Sequence, residues 1–211
     1  MKVDKKNISI FIIWLVHISG FLGMLFYDLG FFAGFTSVNL FLMSIILFLN
    51  FKLNSKRQIL SILSIFLIGM ITESLGVNYG LIFGDYEYGN NLGFKLFGVP
   101  FLIGINWIIL TAISANTASF LTKNKSILLT VIIGALLMLA MDFVMEPVAP
   151  KLDMWRFENL IVPSSNYIAW LVIGLFTQTI YNLLFQEKEI IISINLYAAF
   201  FLFFSFLNLI V

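Results

Sequence analysis

Residues 141–155 read MDFVMEPVAPKLDMW, and they fall where a long apolar run stops. Asp142 and Glu146 are four residues apart, so both carboxyl groups share one helical face, a turn from each other. Pro147 and Pro150 then end the helix. Ala149, preceding the second proline, is steered toward an extended conformation. Carboxyl groups near the end of a membrane-spanning helix are costly to hold in hydrocarbon, and residues kept there at that cost mark a functional site. The rest of the chain reads as an apolar vessel around the pair.

Of the 211 residues, 61% are hydrophobic and 11% charged, against about 25% charged in soluble domains. Several apolar runs reach the ~20 residues that a helix needs to cross a bilayer core. The expected fold class is all-α: a polytopic integral membrane helix bundle of about seven transmembrane helices, with residues 1–211 forming a single transmembrane domain. Spans are expected near residues 7–27, 35–51, 57–76, 98–121, 126–146 and 163–185, with a seventh from 190 to the C-terminus. Asp28-Leu29-Gly30, residues 52–56, Lys123-Asn124-Lys125 and residues 186–189 read as short turns. Two longer polar connections cover residues 77–97 and 147–162. The first apolar run lacks a clear small-residue cleavage site, so it reads as a retained helix.

Charge asymmetry orients the bundle. With the N-terminus inside, Lys2, Lys5, Lys6, Lys52, Lys56, Arg57, Lys123, Lys125 and Lys188 fall on the cytoplasmic side, nine of the twelve basic residues. Asp28, Glu73, Asp85, Glu87, Asp142, Glu146, Asp153 and Glu158 fall on or near the other side, eight of the eleven acidic ones. The expected location is the cell (inner) membrane, with a cytoplasmic N-terminus and an outside C-terminus. The chemistry then lies in the outer half of the membrane, away from cytoplasmic nucleotides. The chain has no cysteine, which excludes thiol chemistry, disulfides and Cys-ligated metals. Its one histidine argues against a His-based zinc or di-iron site. A net charge of +1 gives no sign of a nucleic-acid partner.

Glu73 lies one turn before the expected end of the third span, at the depth of Asp142 and Glu146. Three carboxyl groups at one level of a low-dielectric bundle cannot all ionise, because desolvation and like charge both favour the protonated acid. A protonated acid beside an ionised partner is the apparatus of general acid–base catalysis. The structural alternative pairs these groups with a loop amide or with Lys95, Lys151 or Arg156, and leaves Glu146 in interfacial water. The connection GVNYGLIFGDYEYGNNLGFKLFGVP (76–100) carries Tyr79, Tyr86 and Tyr88 among recurring glycines. It reads either as a lid over the site or as an interfacial loop with an aromatic belt. His17 is mid-span in the first helix. Like Asn39, Asn106, Asn116, Gln178 and Asn182, it reads as a group that hydrogen-bonds a neighbouring helix. Asn166 and Trp170 stand at the outer start of the sixth span, Trp107 about two turns into the fourth, and Trp155 at the end of the 141–155 stretch. Some of the 24 phenylalanines are suited to line a slot for a long polyene or prenyl chain.

Four blocks are similar to a known family. They are Glu73-x-x-Gly76-x-x-x-Gly80-x-x-Phe83-Gly84-x-Tyr86-x-Tyr88; Leu92-Gly93 with Gly98-Val99-Pro100 and Trp107; Met141-Asp142 with Glu146-Pro147-Val148-Ala149 and Trp155; and Pro163-x-x-Asn166-x-x-x-Trp170. Together they resemble the membrane carotenoid-biosynthesis family that includes the carotenoid 1′,2′-hydratases and bisanhydrobacterioruberin hydratase. The chain departs from that pattern at Glu146, where an aspartate is common. It departs again at Asn159-Leu160-Ile161, where an aromatic pair often precedes the proline. The resemblance implies a lyase that adds water across the terminal double bond of an acyclic carotenoid to give a tertiary alcohol, by carboxyl acid–base chemistry and without a cofactor. It implies Asp142 and Glu73 as the first acid/base candidates, with Glu146 third. Tyr79, Tyr86, Tyr88, Trp107, Trp155, Asn166 and Trp170 are implied to bind substrate. The implied partners are a lipophilic carotenoid, the bilayer and other enzymes of the same pathway. A carotenoid cyclase or isomerase using the same protonation remains open, as does a transporter or non-catalytic membrane subunit. Against the latter, the polar groups cluster at one side rather than at the midplane, where transporter sites lie.

Overall fold

Seven helices long and apolar enough to cross a membrane follow one another along the chain. They are α1 (Lys5–Phe26), the pair α2 (Leu29–Ala33) and α3 (Thr36–Asn50), α4 (Lys56–Tyr79), α5 (Phe101–Thr122), α6 (Ile127–Met145), α7 (Ser164–Leu184) and α8 (Ile190–Asn208). The computed structural model describes residues 4–185 and 187–210. Lys2 of the N-terminal basic group, Gln186 of the expected 186–189 turn and the last residue of the seventh span lie outside the described residues.

Short polar side chains set several helix starts. Asp4, Ser55 and Ser126 each accept a backbone N–H of the first turn, and Gln58 completes a capping box with Ser55. The expected turn at Asp28-Leu29-Gly30 is also a helix start: Asp28 accepts from the Phe31 N–H at 2.6 Å and caps α2. An aspartate after an apolar run signals a turn and a cap alike, which is why the sequence alone does not separate them. Helix α6 ends at Met145, ahead of Pro147. Ala149, expected to be extended, sits instead in consecutive hydrogen-bonded turns, with its N–H on the Met145 carbonyl at 2.9 Å.

Helix α5 is the centre of the bundle, packed against α3, α4, α6, α7 and α8. Its residues are buried without a break from Trp107 to Ser119, as expected of a helix apolar on every side. Alanine, serine and threonine at 111, 112, 114, 115, 117, 118 and 119 let neighbouring backbones come close. Two expected interhelical bonds are present: Gln178 Nε2 donates to the Thr111 carbonyl at 3.0 Å, and Asn116 Nδ2 to Ser193 Oγ at 2.9 Å. Asn182 instead donates to the Gln178 carbonyl of its own helix. Outward-facing Phe11, Leu128 and Phe176 are exposed apolar side chains of a multi-pass membrane protein.

The two polar connections hold short strands that no sequence pattern announced. Strand β1 (Tyr86–Tyr88) pairs antiparallel with β4 (Trp155–Phe157), and β2 (Lys95–Leu96) with β3 (Val99–Pro100). The β1–β4 register sets Tyr86 opposite Phe157, Glu87 opposite Arg156 and Tyr88 opposite Trp155. The two connections are thereby joined over the end of the bundle where α4 and α6 finish and α5 and α7 begin.

Candidate active site

Glu73, Asp142 and Glu146 are buried together under that joined cover, at 5%, 0% and 4% exposure. The cover works through strand alternation, which sends successive side chains to opposite faces. Tyr88, Trp155 and Phe157 turn inward and are buried, with Tyr86 half-buried beside them. Glu87 and Arg156 turn outward and form an ion pair at 2.5 Å. This pair is well exposed, and such pairs contribute about 0–1 kcal/mol. Arg156→Ala is therefore expected to leave thermal unfolding in detergent nearly unchanged, and a large drop would show that the pair holds the cover shut.

Glu73 receives three donors. Its Oε2 accepts from the Tyr86 and Tyr88 hydroxyls, the latter at 2.7 Å, and its Oε1 accepts from Trp107 Nε1 at 2.9 Å. Two glycines of α4 permit this. A Cβ on Gly69 would lie 2.5 Å from Trp107 Cγ, and one on Gly76 would lie 2.8 Å from Tyr86 Cε1. Gly69, Glu73 and Gly76 share a helical face, so the indole and the phenol lie against α4 on either side of the carboxylate. Burial, and next the charge of Glu73, hold the Tyr86 and Tyr88 phenols well above the usual range. Both therefore keep their protons and act as donors.

Asp142 and Glu146 share one amide. Asn166 Nδ2 donates to Asp142 Oδ2 at 2.9 Å and to Glu146 Oε1 at 3.2 Å, and Trp155 Nε1 donates to Glu146 Oε2 at 3.1 Å. The two carboxyl groups are also within hydrogen-bonding reach of each other. Asp142 Oδ1 is buried with no other protein donor. Among the described residues, no lysine or arginine forms an ion pair with any of the three carboxyl groups: Arg156 is taken by Glu87, and Lys95 Nζ donates to the Tyr88 carbonyl at 2.6 Å.

Seven residues supply aromatic walls. Trp107 and Trp170 stack with centroids 4.5 Å apart and planes 12° from parallel, and Tyr86 packs against Tyr88, Phe83 and Phe157. Asn166 and Trp170 are four apart on α7, one turn along the same face. Between these groups lies a cavity of about 20 Å³ bordered by Glu73, Asp142, Glu146 and Asn166. By this measure about 10–15 Å³ suffices for one water.

The small cavity adjoins a larger one of about 430 Å³, and Ile103, Asn106 and Trp155 line both. The larger cavity runs between α1, α3, α5 and α8 and is overwhelmingly apolar. Its wall includes Phe31, Phe35 and Val38, which are exposed on the flank of the bundle. The slot thus opens sideways, toward lipid.

Of the ten site residues expected from the sequence, nine border the small cavity. Tyr79 does not: it ends α4 with 71% of its surface exposed. Helix α4, the third expected span, runs three residues past its expected end at Gly76, which carries Tyr79 onto the outer surface. Glu146 is not in interfacial water but buried beside Asp142. His17 bonds no neighbouring helix: its Nδ1 meets the Ile13 carbonyl of α1 at 2.7 Å, and its ring lies against Phe200 and Phe203. Phe83, Ile103, Asn106 and Phe157 also border the small cavity. Of these, Phe157 was recoverable from its place two residues after Trp155, once a strand is assumed.

The family described as "Carotenoid biosynthesis protein" matches residues 32–211. A curated relative named bisanhydrobacterioruberin hydratase, from Haloarcula japonica, is 30% identical over 130 residues, covering 59% of this chain and 44% of that protein. The chain therefore spans less than half the length of that relative. No solved structure matches. The match over most of the chain, with the buried carboxyl groups inside the matched region, makes this chain a member of the carotenoid biosynthesis protein family.

Proposed function

We propose that the chain is a hydratase that adds water across the terminal C1–C2 double bond of an acyclic carotenoid end group. The observation that carries this reading is the water-sized cavity among three carboxyl groups and aromatic rings, set at the end of a lipid-facing apolar slot.

The reaction begins with proton transfer from a carboxylic acid to C2, the double-bond electrons forming the C2–H bond. A tertiary cation remains at C1. Water then attacks C1, and a carboxylate takes the proton that the oxygen releases, so the net change is addition of H and OH. The Asp142–Glu146 pair suits the donor role, because two carboxyl groups in mutual hydrogen-bonding reach share a proton as a unit. Glu73 suits the opposite role: its tyrosine and tryptophan donors hold it as an acceptor, close to where positive charge develops. The aromatic walls add attraction for the cation and keep bulk water out. In a water-excluded site, the single water decides the outcome between capture and simple proton loss.

Expression in a lycopene-accumulating bacterium tests the reading. The pigment should gain the mass of one water per converted end, and an unchanged mass would indicate cyclisation or isomerisation instead. In water labelled with ¹⁸O the new hydroxyl should carry the label. A hydroxyl derived from O₂ would overturn hydration.

The same proposal places the site in the outer half of the inner membrane. Reporter fusions after Lys123 and after Asp153 should read inside and outside respectively. The reverse pattern would move the site to the cytoplasmic half.

A further inference from the structure

Each turnover of a hydratase consumes one water, and the carboxyl cavity has room for about one at a time. The apolar slot is a poor source of it, because a water held in transit needs polar partners and the slot offers few. On the opposite face of the joined connections lies a polar hollow of about 270 Å³. Its rim of Glu87, Asn90, Asp153 and Arg156 is exposed. Its floor is Tyr88 and Trp155, and the same two residues border the carboxyl cavity. One aromatic pair therefore separates the two spaces.

The pair is held by the groups behind it. Tyr88 and Trp155 stand opposite each other on β1 and β4, with ring centroids 6.3 Å apart and planes at 74°. The Tyr88 hydroxyl donates to Glu73 at 2.7 Å and the Trp155 indole to Glu146 at 3.1 Å. Both rings thus end on the carboxyl groups that the water has to reach. The backbone beside them is pinned. The Gly89 N–H donates to the Met154 carbonyl at 2.9 Å, and the Asn90 N–H to Asp153 Oδ2 at 2.9 Å. A Cβ on Gly89 would lie 2.3 Å from the Asp153 carbonyl oxygen, so only glycine allows this approach. Passage then comes from rotation of the two rings rather than from lifting of the strands. A second hollow, of about 500 Å³, meets the cavity at Tyr86 and Phe157. Tyr86 is packed there against Phe83, Tyr88 and Phe157, and Leu160 adds apolar lining.

We propose that the polar hollow is the entry site for the second substrate, water, which passes between the Tyr88 and Trp155 rings to the carboxyl groups. The carboxylates, guanidinium and amide of the rim supply the hydrogen-bond partners that hold water at the mouth. The ring pair admits it in single molecules, so the site is supplied without being flooded. The need for a water rests on the hydratase reading. The passage rests on the geometry of the cover.

The test blocks each hollow after the protein has folded. The chain has no cysteine, so Asn90→Cys and Glu158→Cys each introduce a single thiol, the first in the polar hollow and the second in the other. Both positions are exposed, so neither substitution disturbs the packed interior. The full chain, carrying ¹⁵N-labelled tryptophan, is placed in lipid nanodiscs and transferred to D₂O. The probe is the Trp107 Nε1–H, which borders the carboxyl cavity beyond the aromatic pair and is followed by NMR. Its exchange is measured before and after complete reaction of the thiol with N-phenylmaleimide. Exchange of a buried N–H runs through local opening, so a phenyl group lodged in the polar hollow should slow it roughly tenfold in Asn90→Cys. The same label in Glu158→Cys should leave it unchanged. An unchanged rate on labelling at position 90, equal or greater slowing on labelling at 158, or no exchange before labelling overturns the proposal. Failure of the hydratase reading registers separately, as pigments of unchanged mass in the lycopene strain, because the exchange is measured without substrate.

Discussion

Conversion of lycopene should fall roughly 10²–10⁴-fold in Asp142→Asn or Glu73→Gln, with the protein still present in the membrane. Each substitution keeps size and most hydrogen-bonding ability and removes the capacity to give or take a proton. Asp142 shares the Asn166 amide with Glu146, and Glu73 takes three donors, so a neutral amide at either place leaves the packing nearly as it was. The measurement is pigment turnover normalised to membrane protein. Parent-level turnover in both variants would make the carboxyl groups structural. Glu146→Gln belongs in the same experiment. Its position near the helix end suggested a solvated group of lesser weight, but it is buried and bonded to Trp155 and Asn166. Its loss is therefore expected to resemble that of Asp142 rather than to be milder.

The legible parts of the sequence were those governed by one-dimensional rules. Helix count follows from hydropathy and length, and the convergence of Glu73 with Asp142 follows from their equal depth and the cost of a lone carboxyl group in hydrocarbon. Asn166 and Trp170 were placed by their distance from Pro163. The failures arise where a residue's environment depends on a neighbour remote in sequence. Burial of Glu146 needs Trp155 to fold back over it, and that follows from pairing with strand β1, sixty-odd residues earlier. A three-residue strand carries too little alternation to be recognised alone. Tyr79 failed for a local reason: α4 continues to Gly80, a left-handed helix cap, so the tyrosine is one turn too far along to face inward. Which phenylalanines line a slot, and that it lies around His17, was not legible either, because residues lining an apolar cavity and residues packed in an apolar core have the same composition.

Gly69→Ala should cost activity about as severely as losing a hydrogen-bond donor from the site, although Gly69 does not border the small cavity. The added Cβ would lie 2.5 Å from both Cγ and Cδ1 of Trp107 and 2.9 Å from its Cβ. The indole cannot slide aside, because Trp170 is stacked on it at 4.5 Å, so it must tilt or push α4 away from α5. Either movement withdraws Nε1 from Glu73, and misplacement by about 1 Å in a catalytic array can cost ~10²-fold in rate. Overpacking adds a stability loss of about 1–3 kcal/mol, visible as earlier unfolding in detergent. Gly174→Ala is the control: its Cβ would meet Ala135 Cβ at 3.5 Å, an ordinary contact between α6 and α7. It is expected to retain both turnover and unfolding temperature. If Gly69→Ala matches wild type in turnover, the Trp107 bond to Glu73 is dispensable. If the two glycine variants lose activity equally, the loss reflects tight helix packing in general rather than the seating of Trp107 against Glu73.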